Sequence, residues 1–208
     1  MVVAVGLALF IRTFLVQPFY IPSGSMENTL QVNDRILVNK LSYRFGDIER
    51  GHVVVFDGTD SWEPEVRVPE PANALEGAFR WVGELLGLGP TAETIFIKRV
   101  IGLPGDTVKC CDAEGRVTVN GIPLNEQDYL FPGNKPSELD FQVEVPPGRL
   151  WVMGDHRGAS ADSRAHLGSP GGGTISVDHV HGRAFVILWP LPNWALLDRP
   201  SAFTTSGL

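Results

Sequence analysis

Short apolar runs separated by glycine- and proline-bearing turns recur along most of the chain. Such spacing predicts many short β-strands rather than long helices. Residues 35–39 (RILVN) and 52–56 (HVVVF) read as buried strands, because neither run alternates with polar positions. Residues 91–101 (TAETIFIKRVI) form another, stopped by the turn signal GLPGD at 102–106. The pattern continues at 17–22, 108–110, 117–120, 141–145, 150–153 and 183–189. Asn120-Gly121 is a hairpin signal, so 117–124 is expected to fold back on itself.

Two stretches depart from this period. Val2 to Ile11 are all apolar or glycine, and Arg12 is followed by further apolar positions. A spanning helix needs about 20 apolar residues; residues 1–17 fall short of that and read as a short membrane anchor, with Arg12 reaching the headgroups, in preference to a cleaved signal peptide or a buried helix of the fold. The cations Arg12, Arg35, Lys40 and Arg44 all follow that segment, but long translocated domains escape the positive-inside rule. The second departure is an insertion at about 57–91, rich in Glu and Pro. Within it Leu75, Ala78, Phe79, Val82, Leu85 and Leu86 follow helical spacing. The expected organisation is an anchor at 1–17, a catalytic β-domain over 18–199 and a disordered tail at 200–208. The glycine-rich 168–173 reads as a flexible loop.

Composition narrows the function classes. A net charge of -7 and a pI near 5.2 argue against nucleic acid as partner. The two cysteines, Cys110 and Cys111, are adjacent, with no Cys-x-x-Cys pair and no Cys/His cluster. Neither a structural metal nor a cofactor is expected. The pair itself is read as two plain thiols, with a vicinal disulfide and an intermolecular bridge as alternatives.

Candidate chemistry lies in three segments. Ser25 follows Gly24 at the end of a short aromatic strand, in the run PSGSM. A serine hydroxyl needs a base to become a nucleophile. None of His52, His156, His166, His179 and His181 identifies a Ser-His-Asp triad. In water an ammonium is neutral about once in 2,500 at pH 7. Lysine therefore serves as a base only where burial favours its uncharged form. Lys98 shares a strand face with Phe96 and Val100, whereas Arg99 falls on the opposite face with Ile95, Ile97 and Ile101. Taken alone, a lysine there reads as an edge-strand residue that keeps its charge in water. The third segment, 153–164 (MGDHRGASADSR), is dense in hydrogen-bonding groups after an apolar strand.

In this order, PSGSM, RGHVVVF at 50–56, FIKRVIGLPGD at 96–106 and GDHRGASADSR at 154–164 resemble the bacterial type I signal peptidases. The resemblance spans most of the chain from Phe19 to Trp189. It implies a mainly β, signal-peptidase/LexA-like fold of antiparallel sheets with an N-terminal anchor helix and an inserted helix. It implies a serine endopeptidase with Ser25 as nucleophile and Lys98 as general base. Ser23 and the Ser25 N–H would form the oxyanion hole, Ser160 would hydrogen-bond and orient Lys98, and Asp162 and Arg164 would support that loop. Phe19, Ile21, Pro22, Met26, Leu30, Ile36 and Ile97 would line shallow pockets for the small residues of an Ala-x-Ala site. The implied partners are secretory preproteins and the lipid bilayer, with a monomeric catalytic domain on the outer side of the plasma membrane. Departures from the family pattern are Asn28 for proline, His52 for aspartate, and Gly158 and Ala159 for acidic and amide residues. Rival readings are a self-cleaving repressor, a pilus- or conjugation-maturation peptidase and an inactive membrane-tethered β-domain that binds exported chains.

Overall fold

The computed structural model describes residues 15–59, 61–62 and 95–204. Strands β1 (Val16–Tyr20), β2 (Arg35–Asn39), β3 (Val53–Asp57), β4 (Ile95–Gly102), β9 (Arg149–Met153), β10 (Ile175–Ser176) and β11 (Val180–Trp189) join one antiparallel sheet. Its order is β1-β2-β11-β3-β4-β9-β10, with β12 (Ala195–Leu196) beside β11. A smaller sheet runs β7-β6-β5-β8, from Ile122–Pro123, Thr118–Val119, Thr107–Cys110 and Phe141–Glu144. One helical turn, α1 (Ser42–Phe45), follows β2.

Strands β3 and β4 explain why the sequence there is continuously apolar. Val53, Val55 and Ile97 bury into one cluster with Phe19, Ile36 and Leu30. Val54, Phe56, Phe96 and Val100 bury into another with Trp62, Leu150 and Val152. Both faces of the strands are covered, so no polar position is needed on either. Lys98 sits in the middle of β4, opposite Val54. Strand β4 lies between β3 and β9, so Lys98 is an interior residue and not an edge one.

The order of strands also requires curvature. Strand β1 precedes the Ser25 turn, and β4 carries Lys98 four strand steps away. At about 4.8 Å per step a flat sheet would hold them roughly 19 Å apart. Phe19 of β1, Ile36 of β2 and Ile97 of β4 instead share one cluster, so the sheet curls on itself.

The small sheet packs its own cluster, Val108, Val117, Val119, Leu124 and Phe141, against Ile101, Trp151 and Met153 of the large one. The Asn120-Gly121 turn joins β6 to β7, with φ of 54° and 81°. Both signs are those of a type I′ hairpin, which Asn-Gly favours.

Four expectations change. Val16 and Gln17, assigned to the anchor, belong to β1 and pair with Asn39 and Val38. The segment after Pro200 is not a free tail as far as Thr204. Ser201–Phe203 form a 3-10 turn, and Phe203 is buried against Tyr129. Burial of Ala202 and Phe203, together with the hydrogen bonds from Ser201 Oγ to Asp128 and from Arg199 to the Phe203 carbonyl, offsets the ordering of this short turn. The 168–173 loop is tethered, because the Trp62 Nε1 hydrogen donates to the Gly173 carbonyl at 3.1 Å. Cys110 and Cys111 form a vicinal disulfide at the end of β5 and not two thiols, with a cis peptide between them and Cα atoms 3.0 Å apart. The anchor up to residue 14, the inserted helix and residues 205–208 lie outside the described residues. Among the described residues no helix is long and apolar enough to cross a membrane.

Two stability predictions follow from this packing. Phe203→Ala is expected to lower the unfolding free energy by about 3 kcal/mol or more in urea titrations; a free tail would leave it unchanged. His52 is buried, and its Nδ1 accepts from the Glu49 N–H at 3.2 Å. Burial, then the Arg183 guanidinium, push its imidazole down from 6.5 to about 4. The unfolded chain therefore takes up a proton between those values that the folded chain refuses, so stability falls as pH drops from 6.5 to about 4. His52→Gln should flatten that slope in unfolding measurements across the interval.

Candidate active site

The turn between β1 and β2 carries Ser25. The Glu27 N–H donates to the Gly24 carbonyl at 3.0 Å, and the Leu30 N–H to the Met26 carbonyl at 2.8 Å. Met26 and Leu30 are fully buried, so they pin the turn to the core from beneath. Asn28 has φ of 86°. Proline cannot adopt that angle, whereas asparagine tolerates it. The Asn28 Nδ2 hydrogen donates to the Leu130 carbonyl at 3.2 Å, which ties the turn to the segment ahead of Phe131.

Lys98 comes to the same point from β4. Its Nζ donates to Ser25 Oγ at 2.8 Å, and both side chains are out of solvent. Phe96 contributes to the surroundings, with its ring centroid 6.0 Å from Nζ. The sequence placed these two residues 73 positions apart, and the curl of the sheet joins them. Ser23 Oγ donates to Ser25 Oγ at 3.5 Å.

The 153–164 segment closes over the turn. The His156 N–H donates to the Ser25 carbonyl at 3.1 Å. Gly154 allows this approach: a Cβ there would lie 2.2 Å from Ser160 Oγ and 2.5 Å from the Ser25 carbonyl oxygen. The expected Ser160–Lys98 hydrogen bond is not formed. Ser160 Oγ is packed against Gly154 and has no hydrogen-bond partner among the described residues. Asp162 accepts from the Gly154 N–H at 2.9 Å and from Arg164 Nε and a terminal nitrogen at 2.8 and 2.7 Å. Burial alone would raise the Asp162 carboxyl; Arg164, with the Gly154 N–H and the Arg157 charge, holds the group below its ordinary value.

Two buried ion pairs were not anticipated. Arg99 binds Asp155 through Nε at 2.8 Å and a terminal nitrogen at 2.6 Å, and donates to the Gly51 carbonyl at 2.8 Å. Its guanidinium lies 4.6 Å from the centroid of the Tyr129 ring. Arg157 pairs with Glu126 and donates through Nε to the Gly154 carbonyl at 2.9 Å. Strand alternation put Arg99 on the other face from Lys98 but said nothing of its partner, which lies in a distant loop.

A half-open apolar cavity adjoins the site. It is lined by Phe19, Tyr20, Ile21, Pro22, Ile36, Val55, Ile95, Phe96 and Ile97. Met26 and Leu30, also expected to line pockets, are not among the residues of this cavity; they are buried in one cluster with Phe19, Ile21, Ile36 and Ile97. Tyr20, Val55, Ile95 and Phe96 line it without having been singled out. Among the described residues no group of three or more His, Cys, Asp or Glu could hold a metal ion.

Gly154→Ala is expected to push the 153–164 segment off the Ser25 turn. A displacement near 1 Å costs on the order of a hundredfold in rate. Hydrolysis of an ester or peptide substrate measures the loss, and full activity would show that the close approach is dispensable.

Comparison with known proteins agrees with the motif order. Residues 1–189 match the family model described as signal peptidase, peptidase S26. Signal peptidase I of Mycobacterium tuberculosis (strain CDC 1551 / Oshkosh) is 42% identical over 218 residues, spanning 94% of this chain and 72% of that protein. The probable signal peptidase I of Mycobacterium leprae (strain TN) is 39% identical, over 93% of this chain and 75% of that protein. Probable signal peptidase I-2 of Synechocystis sp. is 40% identical, over 95% and 74%. On kinship extending over nearly its whole length, the chain belongs to the signal peptidase family, peptidase S26.

Proposed function

We propose that this chain is a membrane-bound serine endopeptidase that removes signal peptides from secretory preproteins, with Ser25 as nucleophile and Lys98 as general base. The observation that carries the reading is the solvent-free contact of 2.8 Å between Lys98 Nζ and Ser25 Oγ. In the reaction the uncharged Lys98 amine takes the Ser25 proton as Oγ attacks the scissile carbonyl. The Ser25 N–H and the Ser23 hydroxyl donate to the oxyanion, at about 3–4 kcal/mol for one such donor. Collapse of the tetrahedral intermediate breaks the C–N bond, and the Lys98 ammonium gives its proton to the leaving amine. The same amine then takes a proton from water, whose oxygen attacks the acyl carbon and frees Ser25.

Substrate selection rests on shape. An extended peptide adds beside Phe19–Pro22 as a further strand. The cavity bounded by Ile21, Ile36, Val55 and Ile97 takes small apolar side chains and clashes with large ones. The Ala-x-Ala preference belongs to this reading. So do the anchor in the first residues, a monomeric catalytic domain outside the plasma membrane, and the support given by Asp162 and Arg164 to the loop beside Lys98.

The test is incubation of the purified full chain with a preprotein, followed by mass spectrometry of the new N-terminus. Cleavage after Ala-x-Ala is expected. Lys98→Ala should reduce kcat by about 10²–10⁴, and Ser25→Ala should abolish turnover. Undiminished cleavage by the Lys98→Ala protein would overturn the dyad.

A further inference from the structure

The Ser25 turn is held from its far side by a pair of residues that the reaction above does not use. His156 Nδ1 lies 2.9 Å from Glu27 Oε2. A carboxylate only accepts hydrogen bonds, so Nδ1–H is the donor. The two side chains are partly exposed, at 19% and 29%. They come from different segments: Glu27 from the nucleophile turn, and His156 from the 153–164 segment.

Their contacts bracket the peptide between Gly24 and Ser25, on Gly24 itself and on the carbonyl of the next peptide, that of Ser25. The Glu27 carboxylate lies over Gly24, where a Cβ would meet its Cδ at 3.0 Å and both oxygens at 3.1 Å. The Glu27 N–H closes the turn onto the Gly24 carbonyl at 3.0 Å, and the His156 N–H holds the Ser25 carbonyl at 3.1 Å. The His156 ring is itself stacked on Phe131, with centroids 3.9 Å apart and planes at 10°. The Phe131 N–H donates to the Asp155 carbonyl at 3.0 Å, and the neighbouring Leu130 carbonyl accepts from Asn28. The imidazole is thus fixed on one face by an aromatic ring and at one edge by a carboxylate.

We propose that Glu27 and His156 are positioning residues that lock the Gly24–Ser25 peptide so that its N–H is aimed at the oxyanion of the reaction. The proposal rests on the Ser25/Lys98 reading. Neither side chain takes or gives a proton in the reaction. A hydrogen-bond donor stabilises the oxyanion only when it is already in place before charge develops. The turn that carries this donor is a loop between β1 and β2, and a loop holds an angle less firmly than a strand does. The Glu27–His156 bond ties the loop to a second segment, which buried arginines fasten in turn. Positions that the family resemblance marks as catalytic include neither residue, and His156 stands in the GDHR run simply as a polar loop residue.

The experiment compares steady-state cleavage of a preprotein or signal-sequence peptide by wild-type full chain, His156→Ala, Glu27→Ala, Glu27→Gln, the double alanine variant and Lys98→Ala. Thermal unfolding is measured on each. His156→Ala and Glu27→Ala are expected to lower kcat about tenfold to a hundredfold with KM unchanged. The double variant should be no worse than either single one, because both remove the same bond. Glu27→Gln, whose amide oxygen accepts from Nδ1–H, should keep more of kcat than Glu27→Ala. A peptide aldehyde ending in Ala-x-Ala places an oxygen in the oxyanion hole when it adds to Ser25. Its inhibition constant should rise by the factor by which kcat falls. The proposal is overturned if His156→Ala keeps full kcat, if KM carries the loss, or if the losses of the two single variants multiply. Should His156→Ala fail to fold, the two Glu27 variants and the aldehyde still decide the matter. Inactive Lys98→Ala beside fully active His156→Ala removes the positioning role alone. Active Lys98→Ala removes the dyad and the positioning role with it.

Discussion

Burying an amine beside one particular hydroxyl is the constraint around which this molecule is arranged. An ammonium group loses its hydration when it enters an apolar interior, so such a residue is tolerated only where the surrounding structure is strong enough to hold it. Lys98 lies in the middle of β4, which is flanked by β3 and β9 and covered on both faces by apolar clusters. That position shields Nζ from water, and the curl of the sheet brings the Ser25 turn to it. Without the curl, strand spacing alone would keep the two groups roughly 19 Å apart.

The segment from Met153 to Arg164 is the second layer of this arrangement. It is fastened by three arginines that are themselves out of solvent: Arg99 to Asp155, Arg157 to Glu126, and Arg164 to Asp162. Each also donates to a backbone carbonyl, of Gly51, Gly154 and Arg157 respectively. Desolvating an ion pair costs about as much as its attraction returns. These pairs therefore contribute less to net stability than to geometry. They join β4, the Glu126 turn and the loop over Ser25 into one hydrogen-bonded frame. Within that frame Gly154 is the point of closest approach, with no room for a Cβ between Ser160 and the Ser25 carbonyl.

Much of the fold was legible because its strands have covered faces. The runs at 35–39 and 52–56 and the strand through 95–101 announced themselves by unbroken hydrophobicity, and Asn120-Gly121 by turn chemistry. Ser25 and Lys98 were legible for a different reason, the ordered resemblance of several segments to one family. Physical reading of Lys98 by itself pointed to an exposed edge strand, because local sequence does not state a strand's neighbours. Short elements such as β10, β12 and the turn at Ser201–Phe203 carried too few residues to show a period. The vicinal disulfide was one of three open readings of an adjacent pair.

The sequence alone determined the β-rich class, the order of strands along the chain, the nucleophile and base candidates, and five residues of the apolar cavity: Phe19, Ile21, Pro22, Ile36 and Ile97. Only the tertiary structure decided that Met26 and Leu30 support the turn from below, that Ser160 packs on Gly154 and does not bond Lys98, and that Arg99, Arg157 and Glu126 are buried and paired. The division has a physical cause. Hydrophobic period and turn chemistry act between neighbours in the chain and leave a local trace. The partner of a buried charge or a lone hydroxyl is set by which distant segments the sheet brings together, and no local pattern records that.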